Sequence, residues 1–238
     1  MRVTGTQPGQ IIIVSGTSGS GKSTTCELLQ KRFDDFYLLF GIDHFLALNY
    51  PAKFSHHGPR SIEGIHSHPI DENDPANLDK EGPLRWSIGP EGWRGFHVMH
   101  EWVATASRAG CNIVLDHLMM SDPPLLQDCV WRMRDLPVLF VNLKPPYEVL
   151  AERVANRKMN KRNPAKDVHG EDAVAKSIEK LNRLRPWFYE TVYANDVYDL
   201  EVDSSEFSVE QVCEKIEARL AEGPGTAFEA LRRKWPRM

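Results

Sequence analysis

The hydrophobic pattern begins with four consecutive β-branched residues, Ile11 to Val14, followed by serine and glycines. A short continuous apolar run bounded in this way predicts a strand buried on both faces. Lys22–Phe33 then carries apolar or small residues at Cys26, Leu28, Leu29 and Phe33, the spacing of a helix with one face on a sheet. Tyr37–Phe40 predicts a second strand, which runs into Gly41-Ile42-Asp43-His44-Phe45. From Asn49 to Glu91 the chain is polar and rich in His, Pro, Gly and Asp, which predicts an irregular excursion or lid containing one short hairpin. Helical spacing returns over Gly92–Arg108, with Phe96, Met99, Val103 and Ala106 in phase and Gly110 closing the helix.

The same alternation continues to the end of the chain. Cys111–Leu115 is a third strand leading into Asp116, Leu125–Met133 a short helix, and Val138–Leu143 a fourth strand. Tyr147–Arg157 is a helix that runs into the basic segment NRKMNKRNPAKD. Ala173–Tyr193 is a long helix, broken or started anew around Pro186. Tyr198–Val202 is a fifth strand, and Ser208–Glu222 a helix with Ser208 as its N-cap. Gly223-Pro224-Gly225 reads as a hinge before a separate terminal helix, Thr226–Trp235. Strands alternating with helices predict a parallel, doubly wound α/β sheet covered on both faces. No internal repeat is visible. The expected organisation is one domain over 1–222, with an excursion at 49–91 and a basic lid at 153–168, followed by a helical tail at 223–238.

Composition narrows the function classes. A chain of 238 residues suits one substantial domain with decoration, and its formal net charge of −4 provides no basic field for nucleic acid. Basic residues gather instead at Arg153–Lys166 and Arg232–Arg237. The four cysteines, Cys26, Cys111, Cys129 and Cys213, form no CxxC pair and read as buried free thiols of a reducing compartment. No apolar stretch is long enough for a signal core or a membrane span, so a cytoplasmic protein is expected.

Candidate chemistry starts at Gly16-Thr17-Ser18-Gly19-Ser20-Gly21-Lys22-Ser23, which matches G-x-x-x-x-G-K-[ST] between a predicted strand and a predicted helix. Its glycines permit positive φ and close backbone approach. The loop N–H groups and the helix N-terminus would then face the phosphates of ATP. Lys22 would bridge the β- and γ-phosphates, and Ser23 would offer its hydroxyl to Mg²⁺ with Thr24 beside it. This is a P-loop NTPase pattern, and with the element order it predicts a three-layer αβα sandwich around a five-stranded parallel sheet.

Ligands of open α/β sheets sit beyond the carboxyl ends of the strands, where Asp43 and Asp116 fall. Asp116 follows the apolar run NIVL, an arrangement suited to the magnesium shell. Asp43 follows Gly41, near where an acceptor should lie, and reads as the general base. The two roles could also be exchanged or shared, and each carboxylate could instead be a helix cap or loop residue. Asp34 and Asp35 precede the second strand, on the opposite edge, and read as surface turn residues. Arg153, Arg157, Lys158, Lys161 and Arg162 could neutralise the transferred phosphoryl group, with Arg157 and Arg162 the first choices; the competing reading is a solvated basic helix end. His56, His57, His66 and His68 match no standard zinc spacing and read as loop histidines. Trp93 and Phe96 are either core under the excursion or a wall of the acceptor pocket.

The stretches IIIVSGTSGSGKST, GIDHF, GPEGWRGFHVMHEWVATASRAGCNIVLDHLMM, LFVNLKPPYEVLAERVANR and YDLEVDSS together resemble the chloramphenicol phosphotransferase-like family of P-loop kinases. The resemblance implies ATP-dependent transfer to a hydroxyl of a small molecule, with Gly16–Ser23 on the ATP phosphates, the basic segment as lid and the aspartate matching Asp43 as base. The Asn49–Glu91 excursion and the Gly223–Met238 tail depart from the family pattern, so the reaction class carries over better than the acceptor. Chloramphenicol is one candidate acceptor and antibiotic modification one role. A metabolite or nucleotide kinase of shikimate or zeta-toxin type, and a nucleotide-binding switch, are the alternatives. The expected partner is a small-molecule hydroxyl acceptor, with homo-oligomerisation left open.

Overall fold

The computed structural model describes residues 7–70, 82–156 and 179–235. Its centre is a five-stranded sheet: β1 (Ile11–Ser15), β2 (Tyr37–Gly41), β5 (Asn112–His117), β6 (Val138–Leu143) and β7 (Leu200–Val202). The strand order is β2-β5-β1-β6-β7 and every pairing is parallel. A separate antiparallel hairpin is formed by β3 (Ile65–Pro69) and β4 (Leu84–Ile88). The hairpin expected inside the excursion is therefore present.

Alternation along the strands separates two cores, because successive side chains of a strand point to opposite faces. Ile12, Val14, Val114, Leu139 and Val141 pack with Cys26 and Leu29 of α1 (Lys22–Arg32) and with Val212 and Ile216 of α7 (Val209–Ala221). Ile11, Ile13, Ile113, Leu115 and Phe140 pack with α3 (Pro90–Arg108) and α4 (Leu125–Arg132), and with Phe228 and Leu231 of α8 (Ala227–Lys234). Helices on both faces of one parallel sheet make the expected three-layer αβα sandwich. The terminal helix is packed into it: the Phe140 and Phe228 ring centroids lie 5.4 Å apart. Asp199 accepts hydrogen bonds from the backbone N–H groups of Thr226 and Ala227 at 2.6 and 3.0 Å. Ser208 caps α7, reciprocally with Gln211.

Three expectations change. The excursion is neither loose nor wholly irregular. Tyr50, Phe54, Ile65, Leu84 and Trp86 are buried in the same core as one face of the sheet. Gly92 and Gly64 meet backbone to backbone, since a Cβ on Gly92 would stand 2.4 Å from the Gly64 carbonyl oxygen. The polar composition concealed this, because the buried apolar residues are few and scattered among polar ones, with Ile62 and Ile70 left exposed beside them. Phe96 is fully buried core and so is not a pocket wall. Residues 179–192 form one helix (α6) through Pro186, with no break. Pro186 is exposed, so the carbonyl one turn earlier that loses its N–H partner can be satisfied by water.

A buried polar chain fastens α3 and α4 to β5. His117 and His100 are both fully buried, with Nε2 atoms 3.1 Å apart. The His100 Nδ1 lies 2.6 Å from the Asp128 carboxylate, to which Arg132 donates from Nε at 2.9 Å. Burial alone would raise the Asp128 carboxyl; His100 and Arg132 outweigh it and hold the group below the usual carboxylate range.

Candidate active site

The Gly16–Ser23 loop joins β1 to α1 at the carboxyl edge of the sheet. Gly16, Gly19 and Gly21 have φ of 150°, 91° and 94°, backbone that other residues rarely adopt. At Gly16 a Cβ would also stand 2.6 Å from the Leu143 carbonyl oxygen. Three remote residues hold the loop in shape. The Tyr193 hydroxyl accepts from the Thr17 N–H at 3.2 Å and donates to the Leu143 carbonyl at 2.7 Å. Ser204 donates to the Ser20 carbonyl at 2.7 Å. Arg153 donates to the Gly19 carbonyl at 3.3 Å and to the Ser204 carbonyl at 2.8 Å.

Of the basic residues grouped together in the sequence, Arg153 thus braces the loop. The chosen pair, Arg157 and Arg162, lies outside the described residues, as do Lys158 and Lys161. Removing the Tyr193 hydroxyl alone, with Tyr193→Phe, leaves a buried N–H and carbonyl unpaired. The expected cost is about 1–3 kcal/mol. That corresponds to a melting temperature lower by roughly 2–10 °C for a chain of this size. A calorimetric midpoint unchanged from the parent protein would show that this hydroxyl does not hold the loop.

Lys22, Ser23 and Asp116 meet at the end of β5. The Ser23 hydroxyl donates to one Asp116 oxygen at 2.6 Å, and the Lys22 Nζ is 3.8 Å from the other. Lys22 also donates to the Thr17 carbonyl at 3.3 Å. Asp116 pairs in register with Val14 on one side and Gly41 on the other, which places it between the phosphate loop and the turn carrying Asp43. Burial pushes the Asp116 carboxyl up; Lys22 opposes this, the charge of Asp43 adds to it, and the Ser23 hydrogen bond lowers it. Asp43 itself is exposed, in the single helical turn α2 (Ile42–His44).

The residues present fit a magnesium nucleotide. Asp116 keeps one buried carboxylate oxygen without a hydrogen bond, and the Thr17 and Ser20 hydroxyls are buried and unbonded. Carboxylate and hydroxyl oxygens are the hard donors that Mg²⁺ takes, and it is bound through one or two carboxylates together with phosphates. Among the described residues no group of three or more His, Cys, Asp and Glu could hold a metal. The excursion histidines are not all loop residues, since His66 and His68 stand on strand β3, where the pairing with β4 holds them. Nor is any described helix long and apolar enough to cross a membrane. The four cysteines are free, and three of them are buried.

The model of the chloramphenicol phosphotransferase-like protein family matches residues 9–221. No curated protein sequence matches the chain significantly. Among solved structures, the APS kinase CysC of Mycobacterium tuberculosis in complex with AMPPNP and APS superposes with a TM-score of 0.54 at 12% identity, covering 90% of this chain and 99% of that one. A protein designated APE1195 gives 0.51 at 12% identity, with 90% and 96% covered. Both show likeness of fold.

Proposed function

Since the chain belongs to the chloramphenicol phosphotransferase-like family, we propose that it transfers the γ-phosphoryl group of ATP to a hydroxyl of a small molecule. The observation that carries this reading is the meeting of two carboxylates of unlike surroundings beside one phosphate loop. Asp116 is buried and bonded to Ser23; Asp43 is exposed two residues beyond the register partner of Asp116. A buried carboxylate bonded to the loop serine suits magnesium. An exposed one at the same edge is free to meet an incoming hydroxyl.

In this reading the loop N–H groups hold the phosphate chain, and Lys22 leaves Thr17 and Asp116 to meet the β- and γ-oxygens. Ser23 and Asp116 would hold Mg²⁺, which supplies charge neutralisation on those oxygens when bound. Asp43 accepts the proton of the acceptor hydroxyl as its oxygen forms the new bond to phosphorus. The bond from the γ-phosphorus to its bridging oxygen breaks, and ADP leaves. Arg157 and Arg162 remain, on sequence grounds, the proposed cations for the transferred group. Antibiotic modification is one role such an enzyme would serve.

Incubation with γ-labelled ATP and a panel of hydroxyl acceptors tests the reading. Label is expected in an acceptor product. Label found only as inorganic phosphate, at a rate no acceptor changes, would instead make the protein a hydrolytic switch.

A further inference from the structure

Between the hairpin and α6 lie hydrogen-bonding groups that the fold does not use. Trp86 is buried, with its ring centroid 5.0 Å from that of Phe188 on α6 and 5.8 Å from that of His56. Its Nε1 has no hydrogen-bond partner. Ser67 stands directly opposite Trp86 in the β3–β4 ladder, so the two share a face, and the Ser67 hydroxyl is likewise buried and unbonded. The His56 Nδ1 is a third such atom. Buried polar atoms are nearly always paired, so three around one aromatic ring call for a missing partner.

Two cations border the same place. Lys180, on the first described turn of α6, donates to the His56 carbonyl at 3.2 Å. Arg183, one turn on, donates to the Gly82 carbonyl at 2.9 Å. Both are half-buried, and neither has a carboxylate partner among the described residues. Burial, and then the charge of Arg183, lowers the Lys180 pKa; burial, and then Lys180, lowers that of His56 to about 3, so this imidazole is neutral. A tryptophan N–H, an ammonium and a guanidinium can only donate. What they lack is therefore an acceptor-rich group, and two cations without a carboxylate partner among the described residues set its charge.

The geometry points to an anion-binding subsite formed by Trp86, Ser67, His56, Lys180 and Arg183, which takes the acidic group, carboxylate or phosphate, of the hydroxyl acceptor. This rests on the kinase reading, since it makes the subsite the distal end of the acceptor pocket. The placement agrees. Phe188, against Trp86, is about 7.5 Å along the α6 axis from Tyr193, which touches the phosphate loop, and Lys180 is about 20 Å along it. One molecule reaching from the loop's edge toward the hairpin would carry its hydroxyl at one end and its acid at the other.

The indole N–H of Trp86 reports on the subsite directly. Its resonance in a proton–nitrogen NMR spectrum is assigned by its loss in Trp86→Phe, and the full-length protein is titrated with inorganic phosphate, acetate and, as a neutral control, acetamide. A saturable shift with phosphate or acetate and none with acetamide is expected; whichever anion binds more tightly identifies the acid. Lys180→Met should weaken that binding by at least about tenfold, the worth of one charge-assisted bond, and Lys180→Arg should restore it. Equal shifts with all three probes, or none, would overturn the proposal. Transfer from ATP to matched hydroxy acids, hydroxy phosphate esters and their neutral amides or methyl esters supplies a separate reading. Neutral compounds phosphorylated as well as the acids would remove the subsite and leave the kinase. An intact Trp86 response with no acceptor phosphorylated would remove the kinase and leave an anion site.

Discussion

Asp43→Asn should reduce phosphoryl transfer by at least about 10²-fold while ATP binding stays near that of the parent protein, because a positioned base contributes roughly 10²–10⁴. The side chain is exposed, so the substitution removes no packing and leaves no buried group unpaired. Asparagine keeps the size and loses the ability to take a proton. The measurement is kcat with a competent acceptor, alongside ATP affinity by calorimetry. Transfer at the parent rate would exclude Asp43 as base. The same variant separates the two carboxylates. Asp43 and Asp116 are close enough for the charge of Asp43 to raise the Asp116 pKa. If their roles were exchanged, Asp43→Asn would shift the magnesium dependence, and Asp116→Asn would remove proton transfer while leaving that dependence alone.

Lys22→Ala should reduce transfer by about 10²–10³-fold, the scale for deleting one preorganised charge at a transferring group, and should weaken ATP as well. Lys22 is nearly buried, between the Thr17 carbonyl and the Asp116 carboxylate. Its loss leaves Asp116 buried without its nearest cation, so the Asp116 pKa rises further and its proton competes with magnesium. The loss of activity should therefore be larger below neutral pH than above it, and excess magnesium should recover part of it. ATP affinity and turnover equal to those of the parent would place the phosphates elsewhere.

The geometry of the glycine loop was legible because it is local. Strand, glycine turn, lysine and helix follow one another within Ile11–Arg32, and each residue type has one conformational reason to be there. Asp116 could be placed because a buried parallel strand must deliver the residue after it to the sheet edge. The braces were not legible. Tyr193 reaches Thr17 across 176 positions and Ser204 reaches Ser20 across 184, and no periodicity encodes such pairs. YDLEVDSS stood out as a stretch, yet nothing in it marked Ser204 as the residue on the loop. The excursion was misread for a related reason: its burial rests on five apolar side chains that join the core of one sheet face, and its polar composition outweighs them in any local window. Pro186 misled in the opposite direction. A lone proline on a solvent face costs a helix one bond, and packing at Leu184, Trp187, Phe188 and Val192 outweighs that cost.

Helix α6 touches the excursion at Lys180, Arg183 and Phe188, and Tyr193, the residue after its last turn, touches the phosphate loop. On the proposed reading this one element would bear on both substrates, and any change at one end that reached the other would link their affinities. Whatever factor ATP contributes to acceptor binding by settling Tyr193, the acceptor must return to ATP by settling the other end, since coupling between two sites is reciprocal. Such a link would show as one and the same fold-change, in ATP affinity when acceptor is present and in acceptor affinity when ATP is present.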